Sequence, residues 1–357
     1  MVSAAAVGQG AAVPPPMSQA ALWEGFFREH YAGNRTAERV WRGAGIVTRH
    51  GVVNPVDEDV SAWGTGARMA RYAAEALPLG KGAVAAALAD ADMDAAEVGL
   101  LAVVSCTGYA TPGLDIALGR DLGMRPDVHR LMIGHMGCYA ALPALGAAAD
   151  FVVARARPAV LVCLELTSLH VQPASATARG PHPTADDLEQ MVAAALFSDA
   201  AAALVLRPDA PGLEVVDVVA HTDVSTSDHM TWNVTDLGFR MGLSARVPSV
   251  LARHVGPVVE GLLGRHGLAV GDVAGWAVHP GGRRIVEVVG ERLGLSPAAL
   301  APSYDVLRDY GNASSATVLL VLEQLCRERS FAPGDAVVAM AFGPGLTLYA
   351  ALLRQTG

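Results

Sequence analysis

A chain of 357 residues, 52% of them apolar and 17% charged, can bury a large core and exceeds one ordinary domain, so two halves of roughly 150–200 residues are expected. A formal net charge of −9 excludes a general nucleic-acid binder, which needs a basic face to neutralise phosphates; a local arginine cluster can still hold a small anion. The four cysteines, Cys106, Cys138, Cys163 and Cys326, stand far apart in apolar surroundings, unlike a disulfide framework, and point to a reducing cytoplasm.

Taken in chain order, "VSAAAVGQG" (2–10) reads as a short strand that runs into the turn Pro14–Pro16, and "SQAALWEGFFREHYA" (18–32) has helical spacing. The N-terminus has no basic leader, and its prolines would break a signal helix. "VGLLAVVSC" (98–106) and "AVLVCLELTS" (159–168) are nearly continuous apolar runs, the pattern of central strands covered on both faces. Between them, residues 138–155 form an alanine- and leucine-rich helix. Residues 201–208 and 213–223 are expected as neighbouring strands of a meander.

Beyond residue 240 the alternation resumes. A helix is expected over 247–267, a strand and turn over 273–282, a helix over 313–329 and a closing strand pair over 336–353. Apolar runs are broken by Gly, Asp, Arg or Pro before 18 residues pass, so no membrane span is expected. Both halves repeat strand–helix–strand, which predicts an internally duplicated α/β fold divided near 210–220, here taken as 1–215 and 216–357.

Three segments place a reactive residue where a strand meets a turn or helix. In "GHMGCYAALPAL" (134–145), Cys138 opens a helix, where backbone N–H groups and the helix dipole favour a thiolate. In "WAVHPGGRRI" (276–285), His279 ends an apolar strand, the usual edge for a site in such layers. In "DYGNASSATVLLVL" (309–322), Asn312 stands at the mouth of a helix. Taken singly, each residue type has a bland reading: a core cysteine, a structural histidine, a helix cap. His135 and Cys138 form an H-x-x-C pair with no second pair, so no metal site is expected.

The residues around these three decide between the readings. "GIVTRH" (45–50), "SCTGYATPGLDIALGRDLGMRPDVHR" (105–130), the cysteine segment, "LFSDAAAALVL" (196–206), "DLGFRMGLSARVP" (236–248), "HPGGRRI" (279–285), "GNASS" (311–315) and "FGPGL" (342–346) occur in one order along nearly the whole chain. Together they resemble the type III polyketide synthases, the chalcone-synthase-like members of the thiolase superfamily, in a bacterial form. The resemblance implies a thiolase-like, duplicated five-layer αβαβα fold. It also implies that Cys138 carries an acyl group taken from an acyl-CoA starter and that His279 holds this sulfur as a thiolate by an ion pair. His279 and Asn312 would then donate hydrogen bonds to the enolate left when malonyl-CoA loses carbon dioxide. Iterative Claisen condensation and release of a pyrone or phenolic product follow, with CoA thioesters as substrates and no metal or redox cofactor.

By the same resemblance, Phe197 and Phe239 flank the site, and Cys106, Thr107, Thr111, His170 and Ser314 line the substrate pocket. Thr111 takes the place from which plant members reach across a dimer interface, and a homodimer is expected. His170 is bulkier than the usual threonine and should narrow or polarise the cavity. Arg39 falls on a position that contacts the CoA phosphates. Arg42 and Arg49 carry less weight, as do Arg283 and Arg284, while Thr36 and Gly43 replace two basic residues of plant members. A priming β-ketoacyl synthase or acyltransferase of the same superfamily is the nearest alternative. A degradative thiolase would want a second cysteine where Phe342–Gly345 stands, and a papain-like hydrolase lacks its local cysteine signature. A catalytically silent scaffold has no reason to keep Cys138, His279 and Asn312 together.

Overall fold

Strands that are apolar on both faces must be covered on both sides, and the chain meets this need with two half-sheets between three layers of helix. The computed structural model describes residues 2–357. The first half contains β1 (Ala4–Ala12), a small ribbon of β2 (Pro16–Ser18) and β3 (Thr48–His50), then β4 (Leu100–Val104), β5 (His129–Ile133), β6 (Ala159–Leu166) and β7 (Asp199–Pro208). The second contains β8 (Gly212–Thr222), a hairpin of β9 (Met230–Thr235) and β10 (Gly238–Leu243), then β11 (Val273–Val278), β12 (Ala336–Gly343) and β13 (Thr347–Thr356).

Nine of these strands share one sheet in the order β11-β12-β13-β8-β1-β7-β6-β4-β5. Outward from the β1–β8 contact the two halves repeat the same topology. β1-β7-β6-β4 and β8-β13-β12-β11 are each antiparallel, antiparallel, then parallel. β5 extends the first half alone, as an edge strand. The duplication expected from the pattern of elements is therefore present in the topology.

The meander expected for 201–223 is not formed. β1 lies between β7 and β8, pairing from Ala4 opposite Pro208 to Ala12 opposite Ala201 on one side, and through Ala5 and Ala6 with Glu214 and Leu213 on the other. Alternation and a turn identify two strands but not their neighbours, and here a segment 200 residues distant supplies the missing edge.

The helices are α1 (Gln19–Leu22), joined by a π turn to α2 (Arg28–His30), then α3 (Arg35–Gly43), α4 (Thr65–Asp90), α5 (Leu114–Asp121), α6 (Ala141–Arg155), α7 (Ala185–Leu196), α8 (Val247–Arg265), α9 (Arg283–Leu293), α10 (Ala301–Tyr310) and α11 (Thr317–Glu328). Side-chain alternation sorts them into layers. Leu100, Ala102 and Val104 of β4 belong to the middle-layer core with α6, whereas Leu101 and Val103 belong to the outer core that includes α4 and α5. In the other half, Val337, Ala339 and Ala341 of β12 face the same middle layer, and Val338, Met340 and Phe342 face α8 and α9. The result is the αβαβα stack that was expected. One stretch, Gly137–Arg155, has the length and apolar composition of a membrane span, which interrupted runs in the sequence did not suggest. Its apolar side chains form the core between the half-sheets.

Packing of α4 on β1 is close enough to require glycine. A Cβ built at Gly10 would lie 2.3 Å from the Ala87 backbone nitrogen and 2.6 Å from the Ala83 carbonyl oxygen. Gly10→Ala should therefore lower stability by about 2 kcal/mol. Urea denaturation checks this, and an unchanged midpoint would contradict the packing.

Candidate active site

Cys138 sits in a short turn, Gly137–Tyr139, that leads into α6, with its sulfur at the positive end of a 15-residue helix. Gly137 has a φ of +73°, and a Cβ there would meet the Pro344 ring at 2.6 Å. A Cβ at Gly343 would come 3.2 Å from the Cys138 nitrogen. The Phe342–Leu346 turn thus presses directly on the cysteine turn, and glycine is needed on both sides. Burial pushes the Cys138 thiol up to about 12; the Ser314 hydroxyl opposes this, the Glu165 carboxyl adds to it, and the cysteine's own backbone N–H opposes it again.

His279 follows the last residue of β11, and its backbone N–H donates to the Met340 carbonyl on β12 at 2.8 Å. The ring is fully buried, 5.7 Å from the Phe342 ring, and neither nitrogen makes a hydrogen bond. Burial lowers it to about 3. Burial thus favours the neutral form of each group, and among the described residues the ring nitrogens of His279 have no hydrogen-bond partner. Buried polar atoms are rarely left so, and here they are available to a substrate.

Asn312 is held by its backbone between α10 and α11. Its N–H donates to the Leu196 carbonyl and its carbonyl accepts from the Ser198 N–H, each at 2.9 Å. Its side-chain oxygen accepts from the Ser314 N–H at 2.8 Å and from the Thr317 hydroxyl at 3.5 Å. Because an N–H faces the oxygen, the amide orientation is determined, and the NH₂ group is left to donate elsewhere. The acceptor end of the amide thus closes a local turn at Ser314, the first residue of the Ser314–Ala316 turn, rather than capping the helix Thr317–Glu328.

The fold duplication relates the segments that carry these residues. The Cys138 turn precedes α6 and β6; the Asn312–Ala316 turn precedes the equivalent α11 and β12, and the two turns touch in the middle layer. His279 at the end of β11 corresponds to the Ser105–Cys106 step at the end of β4.

Of the expected pocket residues, Cys106, Thr107, Ser314 and Phe197 line the small chamber beside Cys138. The Phe197 backbone bridges to Asn312, which fixes the ring to the site. Phe239 lies one step back and lines an adjoining larger cavity together with His170. Those two rings stack at 4.6 Å. The Phe239 N–H donates to His170 Nδ1 at 3.0 Å, so Nε2 carries the proton and donates to the Thr107 carbonyl at 2.7 Å. Burial holds this histidine down to about 4, a neutral strut between two strand ends.

Thr111 lines neither space; it is exposed in the loop after β4, with its hydroxyl donating to Tyr109. Arg39 is exposed on α3, donates to Thr36 at 3.3 Å and has no carboxylate partner among the described residues. Arg42 is paired with Glu38 at 2.6 Å, and Arg283 and Arg284 with Glu287 and Glu291 on the exposed face of α9. Arg49 is 5% exposed, lies 4.6 Å from the Trp41 ring, and donates to the Ala194 and Phe197 carbonyls at 2.6 and 3.1 Å. It fastens the end of α7 from within and does not face solvent.

Residue patterns missed Glu165, Trp232 and Met241. Glu165 is fully buried and accepts from the Cys106 N–H at 3.0 Å, Thr107 at 2.8 Å and Ser315 at 2.6 Å; burial raises its carboxyl above the ordinary range despite these bonds. A lone carboxylate inside "AVLVCLELTS" was the available signal. Trp232 and Met241 face each other across the β9–β10 hairpin and line the chamber.

Comparison with known proteins follows this geometry. The family model for chalcone and stilbene synthases matches in two parts, the N-terminal domain over residues 53–210 and the C-terminal domain over 217–356. An alpha-pyrone synthesis polyketide synthase-like protein of Mycobacterium tuberculosis, Pks18, is 35% identical over 324 residues, covering 87% of this chain and 80% of the relative. A 1,3,6,8-tetrahydroxynaphthalene synthase of Streptomyces peucetius is 34% identical over 323 residues, covering 88% and 82%. The crystal structure of 1,3,6,8-tetrahydroxynaphthalene synthase from Streptomyces coelicolor superposes with a TM-score of 0.90 at 28% identity over 99% of both chains.

Proposed function

The chain belongs to the chalcone and stilbene synthase family, the type III polyketide synthases, and from that premise we propose that Cys138, His279 and Asn312 carry its acyltransferase chemistry. The observation that carries this reading is the meeting of the Cys138 turn with the turn that follows Asn312, together with a buried histidine whose ring nitrogens have no partner among the described residues. The N-terminal half (1–215) supplies the nucleophile, and the C-terminal half (216–357) supplies the histidine and the asparagine. Family membership favours this reading over a priming ketoacyl synthase or a silent scaffold.

The Cys138 sulfur attacks the carbonyl of an acyl-CoA starter, with His279 accepting the thiol proton. The tetrahedral intermediate expels CoA thiolate, which receives that proton. Malonyl-CoA then places its thioester oxygen against His279 and the free amide NH₂ of Asn312. Loss of carbon dioxide leaves the electron pair as an enolate, whose oxygen accepts both hydrogen bonds. The enolate carbon attacks the acyl-cysteine carbonyl, the Cys138 sulfur leaves, and the lengthened β-ketoacyl-CoA can reload. Release follows as a pyrone or phenolic product. None of these steps calls for a metal or redox cofactor.

The exposed Arg39, without a carboxylate partner among the described residues, suits a CoA phosphate. An enzyme of the cytoplasm is proposed from its free cysteines. The edge strand β5 exposes Leu131 and Met132, a combination that invites pairing with a second copy, and supports a homodimer with Thr111 at its margin. Mass spectrometry of products from a panel of acyl-CoA starters with malonyl-CoA tests the function. Carbon–carbon extension with release of carbon dioxide is expected; acyl-CoA hydrolysis alone would overturn it.

A further inference from the structure

The chamber beside Cys138 has a volume of about 10 Å³, room for about one water molecule. Behind it lies a second cavity of about 150 Å³, and the two share Thr167, Phe197, Trp232 and Met241 as walls. Which of these walls can yield decides what acyl group the sulfur can carry. Met241 is unbranched and adaptable, so it can move aside for a short acyl group. Trp232 cannot yield so easily. Its indole N–H donates to the Cys106 carbonyl at 2.7 Å, and its ring stands edge-on to His170 at 5.5 Å and to Phe239 at 5.9 Å. His170 and Phe239 are in turn stacked and tied by the hydrogen bonds described above.

We propose that Trp232 sets the starter class, limiting the acyl group on Cys138 to short aliphatic chains and barring aromatic and long-chain starters from the cavity behind it. A longer chain has to displace the indole, which leaves the Cys106 carbonyl without its donor and breaks two edge-to-face contacts. The proposal rests on the reading of Cys138 as the acyl carrier.

The test is the rate of acylation of the intact protein, read by mass spectrometry without malonyl-CoA, for acetyl-, butanoyl-, octanoyl- and benzoyl-CoA. The natural protein should load acetyl and butanoyl groups at least about tenfold faster than octanoyl or benzoyl groups. Trp232→Ala joins the two cavities and should raise the octanoyl-to-acetyl ratio by about tenfold or more, with Trp232→Phe giving a smaller rise. Equal loading of all four by the natural protein overturns the proposal, as does an unchanged ratio in Trp232→Ala. If that variant does not fold, the starter panel on the natural protein decides alone. Failure of all four to acylate would instead remove the assignment of Cys138, and this proposal with it.

Discussion

With Cys138 replaced by alanine, product formation from acyl-CoA and malonyl-CoA should fall by about 10⁴-fold or more, the scale of loss when a covalent nucleophile is deleted. No other sulfur can stand in. Cys106 shares the chamber, but its sulfur is turned toward the Glu165 carboxyl at 3.4 Å, and it does not stand at the opening of a helix. Cys163 is fully buried in β6 on the core side. Decarboxylation of malonyl-CoA should survive far better, within about tenfold, because both enolate donors remain in place. The paired assay therefore separates the carrier from the oxyanion site. Retained condensation would refute the role of Cys138. Loss of both activities with an intact fold would mean that the sulfur also helps to hold malonyl-CoA.

Much of this was legible in the residues because burial leaves strong patterns. The apolar runs at 98–106 and 159–168 became strands buried on both faces, and the reactive residues stood where strand or helix ends were expected. What stayed hidden depends on neighbours distant in sequence. β7 and β8 carry the same apolar residues whether they pair with each other or with β1. Arg49 reads as one more cation near Arg39 and Arg42; only the Trp41 ring and the carbonyls ending α7 turn it inward. His170 reads as a bulky lining residue, yet the bonds at both its nitrogens make it a strut. Trp232 lies in a hairpin segment, "HMTWNVTDLGF", whose polar and apolar residues do not announce which face meets the chamber. The direction in which burial pushes Cys138 and His279 was also out of reach, since desolvation is a property of the packed site and not of residue type.

Asn312→Asp should be nearly as damaging as losing the nucleophile, although it changes one NH₂ group for an oxygen of similar size. The acceptor end of Asn312 is already committed to the Ser314 N–H and the Thr317 hydroxyl, and a carboxylate can keep both bonds. Local structure and stability should therefore be little changed. The other end, however, would present a lone pair in place of a donor, and an ionised side chain would set a negative charge against the forming enolate. Removing one preorganised donor from an oxyanion site costs about 10²–10³ in rate, and the added repulsion increases that loss. Decarboxylation of malonyl-CoA should fall by at least about this factor, while acylation of Cys138 by an acyl-CoA, followed by mass spectrometry, should be much less affected. A purely structural asparagine predicts the reverse pattern: with its acceptor bonds preserved, Asn312→Asp would decarboxylate normally. That result would assign enolate stabilisation to His279 alone, whose two nitrogens are the remaining unpaired polar atoms of the triad.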